Sequence, residues 1–135
     1  MTEPSLRRAS PIVALALGWA IPGAGHAYAG RWGKAVLFFV CITGLLAGGL
    51  ALGGGTVLVP DQLWYAAQFC AGGPALALTP ISQYIATRVT IDYASRLREM
   101  GTLYTAIAGF LNLLVMMDAY VKLAYPHRED EKEMP

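Results

Sequence analysis

Polar and apolar positions along the chain do not interleave at the spacing of a soluble helix. They segregate into blocks. No Asp, Glu, Lys or Arg occurs over residues 9–30, 35–60, 62–87 or 100–117. A soluble amphipathic helix brings charge onto its wet face every turn or two. A membrane-crossing helix needs about 20 predominantly apolar residues. Four candidate membrane segments follow, separated by small charge clusters: Arg31 with Lys34, Asp61 alone, and Arg88 through Glu99.

The first segment, 11–30, follows Arg7 and Arg8 and opens at Pro11, a residue suited to the first helical turn. Its apolar run ends at Pro22-Gly23-Ala24-Gly25, which breaks a helix. Ten helical residues rise about 15 Å, half a bilayer core. The segment therefore reads as a half-inserted or spanning helix with a Gly-rich turn. A secretory signal ending in Ala27-Tyr28-Ala29 is the competing expectation.

The second segment, 34–55, is a span with small residues in its second half. Gly44 and Gly48 repeat at four, as do Gly49 and Gly53, a spacing that lets helix backbones approach closely. The third, 61–87, reads as a span kinked at Gly72-Gly73-Pro74, with Trp64 and Tyr65 at its interfacial start. Residues 88–100 carry Arg88, Asp92, Arg96 and Glu99 at helical spacing and read as a short interfacial amphipathic helix. The last span, 102–122, holds Asn112 near its middle. Asp118 lies near its end, four residues before Lys122. A polar group at mid-span usually faces the bundle interior, and an Asp–Lys pair at that spacing can anchor a helix end. Residues 1–10 read as a cytoplasmic tail and 123–135 as a charged one.

The sidedness of Lys and Arg favours a cytoplasmic face. If 11–30 dips in and returns, one side holds Arg7, Arg8, Arg31, Lys34, Arg88, Arg96 and Arg98. The other keeps Lys122, Arg128 and Lys132. This arrangement, with three full spans and an outward C-terminal tail, is expected over four spans.

Composition agrees: 56% of residues are hydrophobic and 14% charged, where soluble domains carry about 25% charged residues. A net charge of +1 gives no reason to expect nucleic acid as a partner. The expected partners are the lipid bilayer and a second copy or another membrane protein. Cys41 and Cys70 have no metal spacing and read as small buried apolar residues. No nucleophile with a base, carboxylate pair or metal set is visible, so neither an enzyme nor a cofactor is expected.

One string stands apart, Pro22-Gly23-Ala24-Gly25-His26-Ala27-Tyr28-Ala29-Gly30-Arg31-Trp32-Gly33-Lys34. It is a glycine turn, then His26 and Tyr28, then a second turn at Gly30 carrying Arg31 and Lys34. It fits neither a P-loop nor a dinucleotide fingerprint. Its cations can reach lipid phosphates. His26 has no carboxylate near it in sequence.

This turn, with Leu111-Asn112-Leu113-Leu114 leading to Asp118-Ala119-Tyr120, resembles the two-transmembrane domain family. More closely it resembles a small uncharacterised family of bacterial inner-membrane proteins with extra spans. Ala27 and Ala29 stand where bulkier residues are usual. The resemblance implies a helical inner-membrane protein and no reaction. The expected fold is an all-α, polytopic membrane bundle of three to four spans plus one interfacial helix. The first functional expectation is a non-enzymatic packing or scaffold module. The second is a small transporter or lipid-headgroup binder. It would use the Gly-rich turn and Asp118, and requires the two to be close in space.

Overall fold

The computed structural model describes residues 9–60, 62–92 and 94–125. The outer parts of the two predicted tails, 1–8 and 126–135, lie outside them. Among the described residues there are six helices and no strand: α1 (Pro11–Ala20), α2 (Ala24–Tyr28), α3 (Trp32–Leu52), α4 (Tyr65–Phe69), α5 (Gly73–Arg88) and α6 (Arg96–Ala124).

Two of these helices are long and apolar enough to cross a membrane. α3 has 21 residues, with a mean hydropathy of 2.4 over its most apolar stretch; α6 has 29, with 1.6. They rise about 31 and 43 Å respectively. Their outward faces are apolar, with Val36, Leu37, Val40, Phe110 and Leu114 all exposed. α3 begins two residues before the predicted span at 34 and ends before Gly53-Gly54-Gly55, where Gly54 and Gly55 take positive φ and unwind the chain.

The two long helices run antiparallel. Gly49 and Gly53 near the end of α3 meet Gly101 and Thr105 near the start of α6. Lys34 at the start of α3 lies beside Lys122 at the end of α6. A Cβ on Gly101 would stand 2.5 Å from the Gly49 carbonyl oxygen and 2.7 Å from the Gly53 nitrogen. The backbones therefore touch, and that contact forbids a side chain. The remaining core is Ile42, Leu46, Ala71, Ala75, Ala108 and Val115.

Each end of this pair receives a helical hairpin. α1 and α2 fold back on one another: a Cβ on Gly25 would lie 2.6 Å from the Ala14 carbonyl oxygen. The Ser10 N–H donates to the Tyr28 hydroxyl at 3.4 Å. α1 thus starts and α2 ends near the Lys34–Lys122 end, called the near end below.

The second hairpin corrects the kinked span expected over 61–87. α4 is five residues long, and the chain reverses after it instead of continuing. The Tyr65 hydroxyl meets Thr79 Oγ1 at 3.2 Å. The Leu58 N–H donates to Ser82 Oγ at 3.1 Å, and Gly55 lies against Ile85. Rising numbers on one strand of contacts pair with falling numbers on the other, which defines an antiparallel return. The cause is Gly72, whose φ of +76° turns the chain where an L side chain would be strained. α4 and α5 therefore both project from the far end of the pair, where α3 ends and α6 begins.

The interfacial helix expected over 88–100 is also corrected. Arg88 ends α5, Val89 is extended, and Arg96 to Glu99 form the first turn of α6. The predicted Arg88–Asp92 pairing gives way to local bonds. The Arg88 guanidinium sits 5.2 Å over the Tyr84 ring. Asp92 Oδ1 accepts from the Ala94 N–H at 3.0 Å, a side-chain turn that competes with helix. The predicted span over 102–122 is correspondingly longer at both ends. Cys41 is exposed on α3 and Cys70 half-buried, so the expected burial of both is corrected too.

The two hairpins meet at Asn112, fully buried on α6. Its Nδ2 donates to the Gly18 carbonyl at 3.2 Å and to the Cys70 carbonyl at 2.9 Å. Gly72 and Gly73 press directly on the Trp19 and Ala20 carbonyls, leaving no room for a methyl group.

The glycines of α3 and α6 give a test with opposite signs. Gly101→Ala should destabilise by about 1–3 kcal/mol through overpacking. Gly48→Ala, where a Cβ meets nothing within 4 Å, should be neutral or stabilise by about 0.5–1 kcal/mol through helix propensity. Unfolding by SDS in mixed micelles reads both.

Candidate functional site at the near end

α2 is short because glycines bound it on both sides. Gly23, at φ +83°, packs on the Ala35 carbonyl of α3 and admits no side chain there. Gly30, at φ +79°, has open space around it, so it serves conformation alone. The Arg31 N–H bonds to the His26 carbonyl at 2.8 Å and the Gly30 N–H to the Ala27 carbonyl at 3.0 Å. That pair of bonds is a Schellman cap. It closes α2 and places Arg31 immediately before α3.

His26 is driven inward by this geometry and is 1% exposed. Its ring stands edge-on to Phe38, centroids 5.1 Å apart. Its Nε2 lies 2.9 Å from Asp118 Oδ2. Nδ1 is buried with no hydrogen-bond partner among the described residues. The tautomer with its proton on Nε2 therefore donates to the carboxylate. Lys122 Nζ reaches the same oxygen, also at 2.9 Å, from one helical turn away. Asp118 itself is 43% exposed.

Two more cations complete the cluster. Lys34 lies beside Lys122, and Arg31 stands close enough for its charge to act on both. Asp118 thus pairs with Lys122, and Lys34 lies close enough to feel the charge of both. Two ammonium groups at that separation repel unless negative charge lies between them. The near end is consequently a partly exposed, cation-rich site with a fixed floor of His26 and Asp118.

Of the predicted residues, the structure brings together His26, Arg31, Lys34 and Asp118. Pro22, Gly23, Gly25 and Gly30 shape the turn that holds them, and Tyr28 ties that turn to the start of α1. Asn112 lies deeper, at the hairpin junction. Gly49 and Gly53 pack inside the fold, against α6 and Val57, whereas Gly44 and Gly48 face outward into open space. The sequence reading missed the buried polar pair of Gln68 and Thr105. Gln68 Nε2 donates to Thr105 Oγ1 at 2.8 Å and to the Val57 carbonyl at 3.2 Å, tying α4 to α6 and to the 53–64 loop. An isolated Gln in an uncharged segment was the available signal. Among the described residues, no three His, Cys, Asp or Glu side chains gather as a metal site requires.

A family model covers residues 13–131, nearly the whole described chain. The chain belongs to DUF6677, a family of unknown function. No curated protein and no solved structure matches this DUF6677 chain.

Asp118→Asn should destabilise this DUF6677 protein by about 1–3 kcal/mol. It weakens the acceptor for a buried donor and leaves Lys34 and Lys122 facing one another. SDS unfolding should show the loss shrinking as salt is raised, because the repulsion is screened. A salt-independent loss would assign the whole effect to the His26 bond.

Proposed function

We propose that this DUF6677 chain is a multi-pass inner-membrane protein that binds an anionic phosphate-bearing headgroup at the near-end cluster. The observation that carries the reading is that Lys122, paired with Asp118 over buried His26, stands beside Lys34. A transporter or headgroup binder built on the turn and Asp118 required that proximity. Headgroup binding is favoured over transport because the hairpin junction is closed backbone to backbone at Gly72 and Gly73. The reading involves no chemical step.

In this reading α3 and α6 span the bilayer, and the α1–α2 and α4–α5 hairpins enter from opposite faces. Helix ends at membrane depth are tolerated when protein covers them, and Asn112 with the glycine contacts does so. Two spans return the chain to the side on which it began. By connectivity Arg7, Arg8, Arg31, Lys34, Lys122, Arg128 and Lys132 then share one side, and Arg88, Arg96 and Arg98 the other. The positive-inside bias makes the near end cytoplasmic. Reporter tags should read outside after Gly55 and inside after Pro135. An outside reading at Pro135 would restore a third span.

Each basic side chain at an anionic surface contributes about 1 kcal/mol. The double variant Lys34→Gln with Lys122→Gln should therefore bind dioleoyl phosphatidylglycerol about tenfold or more weakly, measured by native mass spectrometry of lipid adducts. Unchanged retention would sink the reading.

A second reading, the packing module, is supported by the outward Gly44–Gly48 face, which keeps Cys41 on the same side of α3. If two copies pack there, mild oxidation of native membranes gives a Cys41-linked dimer that Cys41→Ser abolishes. Monomer throughout would exclude that face as a self-association surface.

A further inference from the structure

The α1–α2 turn does not lie flush against α3. An open groove of about 320 Å³ runs between them. Pro22, Ala24 and Ala27 form one wall, and Trp32, Val36 and Phe39 the other. The floor is backbone: a Cβ on Gly23 would stand 2.4 Å from the Ala35 carbonyl oxygen. Among the described residues, no charged side chain lines the groove.

Its size and direction limit the occupant. From Trp32 to Phe39 α3 rises about 10 Å, from the near end toward the middle of the bundle. Spread over that length, the volume gives a cross-section of about 30 Å². A helix with its side chains is about 10–12 Å across, which needs about 80 Å² or more. The groove is therefore too narrow for a helix of a second copy, and it suits a single alkyl chain. Its mouth adds a charge cue. Trp32 and Lys34 share the first turn of α3, and Lys122 stands beside Lys34. Trp favours the level at which headgroups meet chains.

We infer that the groove holds one acyl chain of the lipid whose phosphate sits at Lys34 and Lys122. The ligand of the near end is then an intact anionic phospholipid and not a free phosphate. The inference rests on the headgroup reading above and adds the chain to it. Lipid already solvates an alkyl chain, so the groove gains by close packing and not by the hydrophobic effect. Headgroup and chain are linked, so seating one raises the effective concentration of the other.

The full chain in neutral detergent with dioleoyl phosphatidylglycerol tests this by native mass spectrometry. Val36→Trp, at an exposed position, and Ala27→Leu each fill the groove and leave both lysines in place. Each should lower lipid retention about three- to tenfold, with an unchanged midpoint of SDS unfolding. Leu114→Trp enlarges an exposed side chain on α6 outside the groove, and should retain the lipid as the unaltered chain does. Retention unchanged in both groove variants, but lost in the Lys34→Gln, Lys122→Gln double variant, would overturn the inference and leave the headgroup reading standing. Retention unchanged in the lysine variant would remove both. Equal loss in Leu114→Trp would assign the lipid to a general annulus. Loss of a dimer mass in place of a lipid adduct would assign the groove to a second copy. Either result would overturn the inference.

Discussion

The fold depends on one side chain satisfying two helix ends at once. A helix leaves its last carbonyls without intrahelical donors. In apolar surroundings each such group costs free energy unless it is paired. α1 and α4 both stop beside fully buried Asn112, which supplies a donor to each, through Gly18 and Cys70. An aliphatic residue at this position would orphan two carbonyls together. A charged residue would bury charge with no counter-ion nearby. A primary amide, with two hydrogens diverging from one nitrogen, meets the geometry without adding charge.

Close backbone approach is what makes that bridge possible. Gly72 and Gly73 let the second hairpin rest on the carbonyls that end the first, while Gly109 lets α4 rest on α6. Small residues carry such contacts where lipid offers no hydrophobic drive for association. The same economy brings α3 against α6 through Gly49, Gly53 and Gly101. With the two long helices held this close, Lys34 and Lys122 lie side by side at one end. The candidate site is thus a consequence of the packing beneath it.

Much of this was legible in the chain. Uncharged blocks marked α3 and α6, and Pro22-Gly23-Ala24-Gly25 marked the end of α1. The break at Gly72-Gly73-Pro74 was visible too, but not its direction. Whether a broken helix kinks or reverses is decided by φ at Gly72 and by carbonyls of α1 more than 50 residues away, which no local pattern encodes. Both glycine repeats were read as helix-packing positions, and the sequence shows that they cannot share one face. Gly44 and Gly49 are five residues apart, about 140° around a helix, so the repeats point to different sides. The run over 88–100 misled because its charge spacing suits a helix, yet Asp92 bonds its own backbone instead. His26 and Asp118 are 92 residues apart. Their contact was legible only as a requirement of the second functional reading, which needed the Gly-rich turn and Asp118 close together; no local pattern pairs them.

In the headgroup-binding reading proposed above, Asp118 does not make an anionic ligand redundant. One carboxylate oxygen already accepts from His26 and Lys122. It holds Lys122 toward Lys34 instead of letting the two ammonium groups part. The repulsion this creates is relieved in two ways, by water and salt or by a phosphate seated between the cations. The second is stronger at a membrane surface, where the anionic leaflet concentrates negative charge within a Debye length. Asp118 is therefore an organiser: it fixes Lys122 on the side of α6 that faces Lys34.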